Sequence, residues 1–123
     1  MKSVYKGGIG QWSWVLHRVS GVAVLVFFFV HILDTALIML GPNLYNAIIE
    51  VYRMPLFGLM EIGLFAAVLY HSLNGLRITI MDFWVGMIVH YKLLFRIQMT
   101  LFLLVFLPVA WIMFGHILKG MQV

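Results

Sequence analysis

Three long apolar blocks separated by short polar stretches set the pattern of this chain: Val19 to Leu40, Leu56 to Met81 and Ile97 to Leu118. The first and third blocks each hold 22 residues. A helix of that length reaches roughly 33 Å at 1.5 Å per residue, enough for a hydrocarbon core of ~30 Å. The pattern predicts an all-α membrane protein with three transmembrane helices, at about 19–40, 56–81 and 97–118, in a single transmembrane domain spanning 1–123. A secretory signal ahead of a soluble domain does not fit. The second and third blocks are also long enough to span, and no small-residue cleavage site follows the first. A first helix starting so soon after Met1, with no Arg/Ser-rich presequence, is the pattern expected of a bacterial or an already processed chain.

The connections are compact. Gly41 to Pro55 opens and closes with proline, and "NLYNAIIEVYR" between them has helical spacing suited to an amphipathic turn or two at the membrane surface. The other connection, "DFWVGMIVHYKLLFR", carries Trp84, Tyr91, Lys92 and Arg96, residue types that favour the headgroup layer. Pro108 is expected to bend the third helix locally, because it removes one backbone donor.

Composition sharpens this picture: 64% of residues are hydrophobic and only 10% charged, more apolar surface than a soluble domain of 123 residues can hide. The absence of cysteine excludes disulfides, thiolate metal sites and iron–sulfur ligation by this chain. Lys2, Lys6, Arg18, Arg77, Lys92 and Arg96 flank one side of the spans, against Arg53 and Lys119 on the other. Cytoplasmic flanks carry the excess of Lys and Arg, so the N-terminus is expected in the cytoplasm and the C-terminus outside. The net charge of +4 is then topological, and nucleic-acid binding gains no support from it.

The polar residues within the apolar blocks are where chemistry is expected, because each is costly in hydrocarbon. In the first span His17, Ser20, Gly21, Val24, Phe28, His31, Asp34 and Thr35 follow spacings of three and four, so they share a face. In the second, Gly63, Ala67, His71, Asn74, Gly75, Ile78 and Asp82 do the same. Glycine and alanine let helices approach closely, and they also leave a flat slot beside a neighbouring imidazole. Three readings fit His71: a hydrogen-bonded packing histidine, a proton relay, or an axial ligand of haem. Depth favours the ligand. His71 lies about 9 Å deeper than Arg77, so a porphyrin on edge would keep its propionates near His17, Arg18 and Arg77 at the cytoplasmic surface. The other axial ligand must come from this chain or a partner.

"HRVSG" and "HSLNGLRITIMDFW" resemble the two signatures of the cytochrome b membrane anchor of succinate dehydrogenase, respiratory complex II. The family patterns are His-Arg-x-Ser/Thr-Gly, and His-x-x-x-Gly-x-Arg followed by Asp. They fall on His17, Arg18, Ser20, Gly21, His71, Gly75, Arg77 and Asp82. The resemblance covers essentially the whole chain. It implies half of a haem-binding helix bundle, completed by a second membrane-anchor subunit that usually brings the opposite iron ligand. His71 is then the haem b axial ligand, His17 a propionate partner together with Arg18 and Arg77, and Arg18 a residue of the ubiquinone or menaquinone site. Ser13 and Trp14 lie beside it. The family's serine stands four residues before the arginine, where this chain has Trp14, with Ser13 one step earlier. A helix turns about 100° per residue, so Ser13 serves the quinone only where the stretch before His17 is not helical.

The resemblance further implies a bacterial cytoplasmic membrane and a complex linked to the tricarboxylic acid cycle. A flavoprotein subunit carrying FAD oxidises succinate, and an iron–sulfur subunit passes electrons to quinone near Arg18. This subunit performs no bond chemistry alone. Asp82 is expected in a proton network or a salt bridge. His31 lies about 21 Å deeper than His17, and two readings stand for it: a second-haem ligand, or a packing pair with Asp34. His90 and His116 are expected to be solvated. A quinol:fumarate reductase anchor and a haem-free anchor for soluble partners are the alternatives. A stand-alone cytochrome is disfavoured by the different depths of His31 and His71.

Overall fold

The computed structural model describes residues 7–121, which leaves Lys2 and Lys6 outside the described residues. Among these residues the chain is helical apart from short connections, with no strand. Four α-helices run in chain order: α1 Ile9–Ala36, α2 Pro42–Tyr52, α3 Pro55–Phe83 and α4 Tyr91–Met121. Short 3₁₀ stretches extend α1 through Leu37–Leu40 and lead into α4 through Val85–His90. α1, α3 and α4 are each long and apolar enough to cross a membrane.

Local chemistry fixes where the helices begin and end. Proline opens α2 and α3, where its missing N–H would have had no helical acceptor and its fixed φ suits a first turn. The turn before α2 passes through Gly41 at φ 118°, a conformation that side-chain-bearing residues rarely adopt. Trp84 leaves the helical region at φ −123°, ψ 83° and so ends α3. α1 starts at Ile9 rather than at Val19, so the segment "IGQWSWVLH" is helical although its polar residues keep it out of the apolar block. A continuous α-helix is favoured there because near a membrane every backbone N–H and C=O must find a partner within the chain. α2 is helical where the spacing of "NLYNAIIEVYR" predicts a helix.

α3 is the central element and packs against α1 on one side and α4 on the other. The arrangement is inverted relative to a soluble protein. Tyr70 is the one hydrophobic residue that is buried among the described residues, alongside Ser13, Ser20, Asn74, Arg77 and Gln98. Leucines, valines and phenylalanines face outward along all three spans, as lipid requires. Lipid tails are as apolar as leucine, so helix association relies on close packing and interhelical hydrogen bonds rather than on excluding water.

Arg77 of α3 makes the main polar link. Its Nη2 donates to Ser13 Oγ on α1 and to Asn74 Oδ1 one turn back on α3, both at 2.9 Å. The Ser13 hydroxyl passes its own proton to the Gly10 carbonyl at 2.9 Å, and the Tyr70 hydroxyl donates to the Ser13 carbonyl at 3.2 Å. On the other side of α3 the seam with α4 is aromatic. Phe65 stacks on Phe106 with centroids 6.1 Å apart, and Tyr70 meets Phe102 edge-on at 6.4 Å. Nearer the opposite end, Gly58 faces Ile117 so closely that a Cβ there would lie 2.7 Å from Ile117 Cγ1.

Two stability outcomes follow from these contacts. Ser13→Ala removes an acceptor from a buried guanidinium, and a loss of about 1–3 kcal/mol is expected. It would be measured as a lowered unfolding midpoint of the detergent-purified complex, and an unchanged midpoint would mean that Ser13 does not hold Arg77. Gly58→Val overpacks the α3–α4 contact by an amount typically costing about 1–3 kcal/mol. The same assay should show Gly63→Val much less affected, since nothing lies within 4 Å of a Cβ at Gly63.

Candidate functional site at the α1–α3 seam

The two histidines singled out by their sequence motifs meet across this seam. His17 of α1 and His71 of α3 stack with ring centroids 4.1 Å apart and planes 14° from parallel. Their approach depends on Gly21, because a Cβ at that position would stand 3.0 Å from His71 Cε1. A Cβ at Gly75 would meet His17 at 3.7 Å, an ordinary contact, so the tight approach is at Gly21 alone of the two.

Hydrogen bonding fixes the chemistry of His71. Its Nδ1 lies 3.1 Å from the His17 carbonyl oxygen and 3.4 Å from Ser20 Oγ. Ser20 Oγ in turn donates to the same carbonyl at 3.0 Å. A carbonyl can only accept, so the bond to it requires the proton on Nδ1. The Nδ1–H tautomer leaves Nε2 with a free lone pair, and Nε2 makes no hydrogen bond among the described residues. A backbone carbonyl that holds one ring nitrogen while the other keeps its lone pair is the arrangement that orients a metal-ligating imidazole. His17 presents the complementary feature: its Nδ1 is buried without a partner among the described residues.

Among the described residues no group of three or more His, Cys, Asp or Glu side chains could hold a bare metal ion. The donor set at the seam, one oriented imidazole with an unpartnered ring nitrogen beside it, suits a group that brings most of its own ligands, and it fits one axial position of a haem. Arg77, expected among the propionate partners, spends Nη2 on Ser13 and Asn74 and lies over the Phe95 ring at 5.3 Å. Its guanidinium is thus turned into the bundle.

Ser13, Trp14 and Arg18 separate onto two faces. The segment before His17 is helical, and five residues of helix set Ser13 and Arg18 about 140° apart. Ser13 is buried against Arg77. Trp14 and Arg18, one turn apart, are exposed together, with the guanidinium 4.7 Å from the indole ring centre. A cation held over an aromatic face keeps its N–H groups available at the edge while part of its charge is stabilised.

Deeper along α1, the expected His31–Asp34 pair does not form. Tyr52, brought back by α2, donates its hydroxyl to Asp34 Oδ2, while His31 stacks against Phe27 at 5.4 Å. The reason is tertiary: residues three apart on a helix point along one face, and a hydroxyl from another element reaches the carboxylate more directly than the neighbouring ring does. That bond raises the Tyr52 hydroxyl above the ordinary phenol range, which keeps it protonated as the donor. His31, Asp34, Tyr52 and Glu61 border a cleft of about 710 Å³ between α1 and α3, with an apolar floor that includes Ala67. Asp82 is exposed at the end of α3 and makes no ion pair among the described residues. His90 and His116 are exposed, as expected.

Tyr70, Gln98 and Glu61 were not found from the sequence pattern. Glu61 had a signal, as the lone carboxylate within the second span, and Gln98 a fainter one, as a lone amide in an apolar run.

The relatives of this chain agree with its architecture. The succinate dehydrogenase/fumarate reductase transmembrane subunit family matches residues 2–109. The chain is 43% identical over 115 residues to the succinate dehydrogenase 2 membrane subunit SdhC of Mycobacterium tuberculosis, a match covering 94% of this chain and 85% of that protein. It is also 32% identical over 79 residues to the succinate dehydrogenase hydrophobic membrane anchor subunit of Halobacterium salinarum, covering 63% of this chain and 61% of that one. A match of this extent, on a chain with three membrane-spanning helices, shows that it belongs to the succinate dehydrogenase/fumarate reductase transmembrane subunit family and is a membrane-anchor subunit.

Proposed function

We propose that this subunit anchors a succinate:quinone oxidoreductase in a bacterial cytoplasmic membrane, supplies one axial ligand to haem b through His71, and forms part of the quinone-reduction site through Arg18 and Trp14. The observation that carries the reading is the Nδ1–H bond from His71 to the His17 carbonyl, which leaves Nε2 as the free donor atom. Both relatives are named as succinate dehydrogenase subunits, which favours succinate as the electron source.

The residues divide the work by face. On the α1–α3 seam, His71 would hold the haem iron while the His17 carbonyl and Ser20 fix its ring orientation, and His17 Nδ1 would be the donor offered to a propionate. Haem b, when bound, supplies a one-electron store beside the quinone. Arg77 orients α1 against α3 through Ser13, and so acts on the seam without touching the cofactor. On the outer face near the N-terminal end of α1, Arg18 stabilises negative charge on a quinone oxygen and Trp14 covers the ring.

The subunit needs partners to do this. A second anchor subunit would cover the polar seams and complete the haem site, and an iron–sulfur subunit would deliver electrons from a flavoprotein that holds FAD. The excess of Lys and Arg on the N-terminal side supports a cytoplasmic N-terminus, and the iron–sulfur contact near Arg18 would lie on that side.

Two measurements test the reading. In the assembled complex, His71→Ala should abolish the b-type band of the reduced-minus-oxidised spectrum while all subunits co-purify; retention of full haem content would remove His71 as ligand. Arg18→Leu should raise the quinone KM or lower its kcat by about tenfold or more, for a lost charge-assisted hydrogen bond. Succinate oxidation by a soluble dye acceptor should stay unchanged, and equal loss in both assays would point to failed assembly rather than to a quinone contact.

A further inference from the structure

Gln98 of α4 is 4% exposed, and its carboxamide Oε1 has no hydrogen-bond partner among the described residues. Its position is fixed by its neighbours on the same face of α4. Phe95, three residues before it, lies under the Arg77 guanidinium, and Phe102, four residues after it, meets Tyr70. α3 and α4 run antiparallel, so the residue midway along this face of α4 is level with the one midway between Tyr70 and Arg77 on α3. That residue is Asn74, which is completely buried and has its Nδ2 without a partner. Arg77 Nε is likewise buried and unpartnered. The Tyr70 hydroxyl lies beside the Gln98 carboxamide; it donates to the Ser13 carbonyl and so faces Gln98 as an acceptor for Nε2–H.

The groups left unmet are of both kinds: N–H donors on Asn74 and Arg77, and the acceptor Gln98 Oε1. A direct bond between the two amides would use the one acceptor and leave the Arg77 donor stranded in a region with no bulk solvent, where an unmet polar group is expensive. A bound anion would satisfy the donors and leave Gln98 Oε1 unmet. Water accepts and donates, and so matches the set.

We propose that Asn74, Arg77 and Gln98 bind ordered water inside the three-helix interface. This water supplements the two hydrogen bonds of Arg77 where a carboxylate would otherwise stand, and it ties α4 into the polar link between α1 and α3. Gln98 is its anchor on α4. The proposal does not depend on whether His71 ligates haem.

The test uses the intact, assembled complex. A density map of the wild-type complex, at a resolution that shows ordered water, should contain a water peak within hydrogen-bond distance of Gln98 and Asn74. Gln98→Met, of similar length and apolar, should lower the thermal midpoint, because it removes partners from the water and exposes the remaining donors to a dry interior. A raised or equal midpoint for Gln98→Met would overturn the proposal, since an unhydrated amide is better replaced by a thioether. So would a map with Gln98 and Asn74 bonded directly, or with an anion between them. If the variant does not assemble, the wild-type map decides.

Discussion

A guanidinium buried between apolar helices is the constraint on which the rest of this structure depends. Arg77 has no carboxylate partner among the described residues, so its charge is carried by hydrogen bonds to Ser13 and Asn74 and by the face of Phe95. Removing a charge from water is costly, and the cost is tolerated only where several dipoles converge on it. Each of those dipoles sits at a defined place on a helix. Satisfying Arg77 therefore sets the rotation of α1 about its axis and its height against α3.

The rotation set at Ser13 propagates along α1 by helical periodicity. His17, Ser20 and Gly21 lie one and two turns further on the same face, so they are turned to α3 and meet His71. Trp14 and Arg18 are turned away by the same rotation and become a separate, exposed pair. His17 of the stacked pair and the exposed cation belong to one sequence motif, yet they serve different surfaces of the protein. A motif with adjacent His and Arg suits this purpose because neighbouring residues on a helix point about 100° apart.

The polar interior also explains how a small chain with few buried apolar side chains holds a defined shape. In a soluble domain the sorting of apolar residues inward would fix the packing; here the outward faces are apolar because the surroundings are. The aromatic seam of Phe65, Tyr70, Phe102 and Phe106 gives α4 its register against α3, while α1 takes its register from hydrogen bonds. The cleft beyond Ala67 opens where neither device operates, and there Tyr52 of α2 supplies the partner that Asp34 needs.

The sequence by itself determined the all-helical class, the three spans and the short helix between the first two. These follow from the length of apolar runs, from proline and glycine at the turns and from helical spacing, all of which are local. It did not reveal that α1 begins at Ile9, because hydropathy marks where lipid contact starts and not where backbone hydrogen bonding starts. Nor could it tell that Arg77 turns inward to Ser13, that Asp34 pairs with Tyr52 rather than with His31, or that Gln98 is buried. Each of those depends on which residues of distant helices come within 3 Å to 6 Å of one another, and that is decided by the rotation and register of packed helices, to which a one-dimensional pattern is blind.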